Sequence, residues 1–154
     1  MKSVIHLLSV CLLPLVTLAA DSSSPPVFQM RLVANTPSAD SEEMVCTDTT
    51  VGKKETLHVM KKVLIDQTDL KSAEVIKRAP TQISIKFTDA GKKRLAEVTR
   101  ENIGKRLATV IGGQIYSAPK IMSEITSGEA NIVVSSEQEA NELVARITES
   151  LKKR

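Results

Sequence analysis

Residues 81–104 read TQISIKF followed by TDAGKKRLAEVTRENIG, and this stretch decides the fold class. In the first seven residues, Ile, Ile and Phe alternate with polar side chains, as in a strand that buries one face. Thr88 then supplies a hydroxyl that can cap a helix, and small or apolar residues recur at helical spacing after it. Gly104 can adopt the positive φ that ends many helices. The stretch therefore predicts a strand that runs directly into an amphipathic helix.

The segments on either side of this stretch predict further strands. Residues 107–111 and 114–117 flank Gly112-Gly113, a pair typical of a two-residue hairpin turn. Thr68 is predicted to cap a single helical turn over residues 69–71. Apolar alternation or clustering predicts extended segments at 27–34, 57–65, 73–78 and 131–134. Polar, proline-containing sequence predicts loops at 35–43 and 119–130.

The C-terminal segment predicts a second helix. Ser136 and Glu139 have the spacing of a capping box, and a broad apolar stripe follows them as far as Leu151. Together these elements predict an α+β fold. We expect an antiparallel or mixed sheet of about five to seven short strands, with two main helices packed on one face.

The first 20 residues predict a secretory signal peptide. Lys2 provides the positive start, an apolar run follows, and Thr17-Leu18-Ala19 places small residues for cleavage after Ala19 or Ala20. An uncleaved membrane anchor is the alternative, and Pro14 favours cleavage. We expect residues 1–20 to be a signal peptide, 21–26 a disordered leader and 27–154 a single domain. The mature protein is then exported to the periplasm or the extracellular space, without stable membrane insertion.

Composition argues against a nucleic-acid partner. The chain has 21 Lys and Arg against 18 Asp and Glu, and its aromatic residues are one Tyr, two Phe and no Trp. Nucleic-acid binding favours a dense basic face interleaved with aromatic platforms. We therefore expect no nucleic-acid partner.

The sequence contains few residues suited to catalysis. After cleavage, His58 is the one histidine and Cys46 the one cysteine, so paired histidines for zinc and an internal disulfide are both excluded. Cys46 is interpreted as a partly buried thiol, and a disulfide-linked dimer is the alternative. The glycines match neither a P-loop nor a dinucleotide fingerprint. We expect no catalytic, cofactor-binding or metal-binding residue, and no enzyme.

One resemblance covers about residues 57–150. The run from Phe87 to Ala108, continued through Val110–Pro119, resembles the head of the first periplasmic domain of SecD, an accessory subunit of the bacterial Sec translocon. Here the family's usual Asp-Gly turn is Gly112-Gly113, and its Gly-x-Phe element before the last helix is replaced by residues 133–136. The motif residues that the resemblance marks as structural are Gly91, Glu101, Asn102, Gly104, Lys105, Arg106, Ser117, Ala118 and Pro119.

The resemblance implies a SecD-like binding module acting in protein transport. It implies contact with a translocating or unfolded polypeptide or with the export machinery. The alternative is a regulator or inhibitor that docks on a folded envelope protein or membrane sensor. The candidate binding surface is the apolar set in and before the 117–130 loop, Tyr116, Ile121, Met122 and Ile125. The same side chains could instead close over the core.

Overall fold

A computed structural model describes residues 26–48 and 53–153 of the chain. The predicted signal peptide and all of the leader except Pro26 lie outside the described residues. The elements in chain order are β1 (Phe28–Ala34), β2 (Ser41–Asp48), β3 (Lys53–Met60), β4 (Ile65–Asp66), a 3-10 turn (Gln67–Asp69), β5 (Leu70–Ile76), β6 (Gln82–Phe87), α1 (Asp89–Glu101), β7 (Leu107–Ile111), β8 (Gln114–Ser117), β9 (Glu129–Val133) and α2 (Glu137–Lys152).

One sheet curls into a small barrel. Its strand order is β3-β2-β8-β7-β1-β4, and β3 also pairs with β1, which closes a ring of five strands. Neighbours in the ring are antiparallel except β2 and β8, which run parallel where Cys46 faces Ile115. Closure gives β1, β2, β3, β7 and β8 a partner on each side, although β2 meets β8 at one residue pair and β1 meets β3 at two.

The second sheet carries the helices. Its strands β5, β6 and β9 are antiparallel, and α2 packs across β5 and β6. The other helix, α1, follows β6 and contacts both that strand and the 3-10 turn. The predicted α+β class is therefore confirmed, with the strands divided between two sheets.

Two apolar cores correspond to these two parts. The larger one lies between the helices, the second sheet and the outer face of the barrel, and includes Phe28, Ile85, Leu95 and Ile147. The smaller one fills the barrel with Cys46, Leu57, Val59, Ala108, Val110, Ile115 and Ala118. The Cys46 side chain faces this interior, which agrees with its interpretation as a buried thiol.

Three local predictions differ from the structure. The predicted loop 35–43 ends early because β2 begins at Ser41, and the predicted strand 57–65 divides into β3 and the separate β4. The early start of β2 comes from the barrel, whose pairing recruits residues that have little strand pattern of their own. The second departure arises because β3 and β4 pair with different parts of β1. The 3-10 turn is capped by Asp66 rather than Thr68, because the Asp66 carboxylate accepts the Thr68 N–H at 2.7 Å.

Candidate docking surface

The end of α1 is joined to the loop that follows β8. The Asn102 side chain donates to the Val98 carbonyl at 2.8 Å and ends the helix. Gly104, at φ +86°, then donates its N–H to the Ile121 carbonyl at 2.8 Å, and the Ile121 N–H returns to the Lys105 carbonyl at the same distance. This reciprocal pair connects the segment around Gly104 to the segment that follows Pro119.

Arg106 also connects the segment after α1 to the start of this loop, and it does so from the side of the barrel. Its Nε donates to the Ala118 carbonyl at 2.8 Å, and its two terminal nitrogens lie 2.9 and 3.0 Å from the Glu55 carboxylate oxygens. The hydrogen bond to Glu55 raises the pKa of Arg106, as expected for a charge-assisted pair. The Leu107 N–H adds a bond to the Pro119 carbonyl at 3.0 Å.

The remaining motif residues have simpler surroundings. Lys105 Nζ donates to Asn102 Oδ1 at 3.0 Å, Glu101 is the exposed last residue of α1, and Ser117 ends β8 opposite Thr109. Gly91 is buried at the start of α1, where a Cβ would lie 2.2 Å from the Asp69 carbonyl oxygen.

Beyond Pro119, the loop that leads to Glu129 is held at three further points. The first is the Ile121 pair with Gly104 and Lys105. The second is the Ile125 N–H, which donates to the hydroxyl of Thr99 in α1 at 2.9 Å. The third is Gly128, at φ +73°, whose carbonyl accepts the Phe87 N–H at 3.0 Å.

The four predicted surface residues do not form one patch. Ile121 is 5 % exposed and belongs to the larger core, so its assignment to an exposed docking surface is corrected. Tyr116 is half-buried and packs against the same core, and its neighbours include the α2 residues Glu139 and Arg146. Met122 and Ile125 are 76 % and 36 % exposed. The alternation of burial follows from pinning Ile121 to the helix end, which turns the next side chain outward.

The sequence analysis missed a third exposed apolar residue. Ile103 is 56 % exposed in the turn after α1. Gly104, the next residue, is hydrogen-bonded to Ile121, which precedes Met122. Thr99, one helical turn before Ile103, is hydrogen-bonded to Ile125. We call Ile103, Met122 and Ile125 the apolar triplet. The sequence feature that could have indicated this exposure is the position of Ile103 between Asn102 and Gly104, where the helix ends.

Among the residues that the structure describes, no cluster of three or more His, Cys, Asp or Glu side chains is placed to hold a metal ion. His58 is partly buried in β3, with Nδ1 3.9 Å from a carboxylate oxygen of Glu43 on the neighbouring strand. Within residues 26–48 and 53–153, no helix is long and apolar enough to cross a membrane.

The family model described as SecDF, P1 head subdomain, matches residues 42–150. This chain belongs to that family. The matched segment contains α1, the loop and the apolar triplet, while β1 precedes it. The predicted resemblance to the SecD head is therefore confirmed.

Relatives among curated proteins are subunits of the protein translocase. The SecDF subunit of Thermus thermophilus is 52 % identical over 63 residues, which is 40 % of this chain and 9 % of that protein. The SecD subunit of Leptotrichia buccalis is 40 % identical over 84 residues, which is 53 % of this chain and 21 % of that protein. The SecD subunit of Rickettsia conorii is 35 % identical over 88 residues, covering 55 % and 17 %. The chain thus spans about a tenth to a fifth of these relatives.

Two solved SecDF structures share the fold. One, of a SecDF described as a membrane component that enhances protein export, has a TM-score of 0.62 and 30 % identity, covering 79 % of this chain and 61 % of that chain. The other is SecDF in a super-membrane-facing form, with a TM-score of 0.63 and 30 % identity, covering 79 % of this chain and 18 % of that one.

Proposed function

We propose that this protein is an extracytoplasmic binding module for protein export. It acts by docking on unfolded or translocating polypeptide, or on a component of the export machinery that presents such a segment, and it catalyses no reaction. Membership of the SecDF P1 head family supports a role related to protein translocation. We propose that residues 1–20 are a signal peptide, residues 21–26 a leader and residues 27–154 a single domain.

The observation that carries the proposal is the apolar triplet. Large apolar side chains in a solvent-facing loop are hydrated, so covering them releases about 25 cal/mol for each Å² of apolar surface buried. They lie next to the motif residues that fasten the loop to α1. An unfolded exported chain offers many apolar side chains, which suits a small and sequence-tolerant surface of this kind.

The triplet also has a charged surround. Arg100, Lys105 and Lys120 are exposed near it, as are Glu101 and Glu124. Mixed charges of this kind favour a polar rim around an apolar centre and impose no single charge on the partner.

Substituting the triplet tests the docking surface. Reduced, carboxymethylated α-lactalbumin serves as an unfolded probe, and binding is measured by fluorescence anisotropy. Ile103→Ser with Met122→Ser should weaken binding about 5- to 30-fold, the equivalent of roughly 1–2 kcal/mol for lost interface anchors. The free energy of unfolding should change by less than about 0.5 kcal/mol for each exposed site.

Val45→Ser is the matched control for this experiment. Val45 is 55 % exposed on β2 in the barrel, outside the triplet. Its substitution removes a similar exposed apolar side chain and should leave binding unchanged. Equal binding by the triplet variant and the wild type would contradict the proposed surface, and the exposed cations Lys92, Lys93 and Arg100 of α1 would be tested next.

Capture from envelope extract separates this proposal from the alternative. Recovery of Sec components or unfolded exported chains by the wild type, and not by the triplet variant, supports the docking module. Recovery of one folded receptor by both proteins would favour a regulator or inhibitor instead. N-terminal sequencing of the exported protein should begin at Ala20 or Asp21, and retention of Met1 in the membrane would contradict the extracytoplasmic placement.

A further inference from the structure

Thr99 is a polar residue on the buried face of α1. Its side chain is 0 % exposed, and its hydroxyl donates to the Leu95 carbonyl at 2.7 Å. This backward bond to the preceding turn is common for threonine in helices and does not require a loop. The same hydroxyl oxygen also accepts the Ile125 N–H at 2.9 Å, from a residue 26 positions away.

The bond from the Ile125 N–H requires an acceptor at residue 99, which an apolar side chain of the same shape does not provide. A partly buried backbone N–H that loses its acceptor and gains no water is costly, because it was hydrogen-bonded to water in the unfolded chain. Valine would fill the space of Thr99 and offer the Ile125 N–H no acceptor. The identity of residue 99 therefore determines whether the middle of the loop stays against α1.

The position of this bond within the loop makes it decisive for the triplet. The loop is fixed at Ile121 and again at Gly128, and Ile125 is the attachment between them. Without it, seven consecutive residues, 122–128, would have only their far end tied to the second sheet. Met122 and Ile125 would then sample many arrangements relative to Ile103.

We propose that Thr99 is a positioning residue, which acts through the Ile125 backbone to hold the apolar triplet in one binding-competent arrangement. The inference rests on the proposed function for its consequence in binding, whereas the loop position it assigns is a property of the free protein. A surface held in place before binding loses less conformational entropy when the partner docks. Thr99 contributes to affinity without touching the partner.

Amide hydrogen exchange tests the loop assignment on the wild-type protein first. The Ile125 amide should exchange more slowly than the amides of Ser123 and Glu124 beside it. Thr99→Val should speed its exchange about 2- to 10-fold, the range expected for one net hydrogen bond. Thr99→Ser keeps the hydroxyl and should restore slow exchange, while Thr126→Val, an exposed threonine of the same loop, should change nothing.

Binding of carboxymethylated α-lactalbumin gives the functional readout. Thr99→Val should weaken binding about 2- to 10-fold and Thr99→Ser should bind like the wild type, with both variants folded by circular dichroism. Fast exchange at Ile125 in the wild type, or unchanged exchange in Thr99→Val, would overturn the loop assignment. Altered exchange with unchanged binding would overturn the positioning role and leave the proposed function standing. A wild type that binds no probe would overturn the proposed function and, with it, the binding role of Thr99.

Discussion

At the scale of single residues, two glycines at the ends of α1 are required for different reasons. Gly91 has no positive φ, but a Cβ there would lie 2.2 Å from a backbone oxygen of Asp69. Gly104 has φ +86°, and a Cβ there would meet nothing within 4 Å. The first glycine permits close packing of the helix on the 3-10 turn, and the second permits a left-handed backbone.

Substitution to alanine should separate these two reasons. Gly104→Ala should lower the free energy of unfolding by about 1–2 kcal/mol through backbone strain alone. A β-branched residue, Gly104→Val, should cost about 1–3 kcal/mol. Gly91→Ala should cost about 1–3 kcal/mol or more, because backbone must move. Urea unfolding measures all three, and wild-type stability in Gly104→Ala would contradict the left-handed conformation.

The phenol of Tyr116 can be titrated by ultraviolet absorbance without overlap from another tyrosine or a tryptophan. Tyr116 is the one tyrosine of a chain without tryptophan, and burial, followed by the nearby Glu139 carboxylate, raises its pKa above the ordinary 10.0. The neutral phenol's contribution to stability should be complete below pH 10.0 and be lost as the pH rises through the raised folded-state value. Absorbance at 295 nm should give a higher pKa for the native protein than for protein in guanidinium chloride. A Tyr116→Phe variant should lose less stability above pH 10 than the wild type, and equal losses would contradict the assignment.

At the scale of elements, two arginine–glutamate pairs flank the apolar interior of the barrel along the β2–β3 hairpin. Arg31 Nη1 lies 2.7 Å from Glu42, and its Nε donates to the Met60 carbonyl. In the other pair, Arg106 with Glu55, the arginine Nε likewise donates to a backbone carbonyl, that of Ala118 just after β8. Each of the four lies two positions along its chain segment from a side chain that packs in the barrel, and therefore on the same inward face. The charged side chains therefore lie at the ends of the inward-facing rows, beyond the apolar residues that fill the barrel.

The two glutamates should differ in their contribution to stability. The Arg31 side chain is 7 % exposed and its Nη2 has no partner among the described residues, whereas the Arg106 side chain is 36 % exposed. Glu42→Gln leaves a buried charge without its counter-ion and should cost about 1–3 kcal/mol. Glu55→Gln affects a hydrated arginine and should cost about 0–1 kcal/mol. Thermal unfolding at low and at 1 M salt measures both, and a larger loss for Glu55→Gln would contradict this ordering.

At the scale of the whole molecule, β1 joins the barrel to the rest of the fold although it precedes the segment matched to the family. It pairs with β3, β4 and β7, and its side chains alternate between the two cores. Phe28 and Met30 enter the larger core, and Val33 packs against the smaller one. The folding unit therefore extends beyond residues 42–150.

Truncation on either side of β1 should test that extent. A chain beginning at residue 26 keeps all the described contacts and should unfold cooperatively, with a Tm close to that of the chain beginning at 21. A chain beginning at 35 loses β1, and burial of Phe28 alone corresponds to about 3–5 kcal/mol. We expect it to lack a cooperative transition by circular dichroism. A similar Tm for both truncations would show that β1 is dispensable.

Elements whose signals are local could be predicted from the order of the amino acids. Alternation in residues 82–87, the Thr88 cap, the Gly112-Gly113 turn and the Ser136 cap each act over a few residues, so the strand, helices and hairpin were predicted. Tertiary structure decided barrel closure and the recruitment of β2, because alternation indicates a buried face without specifying which edges pair. It also decided that Ile121 is buried while Met122 and Ile103 are exposed. That difference depends on hydrogen bonds that join Gly104 and Thr99 to a loop distant in sequence, and the composition of the loop does not indicate them.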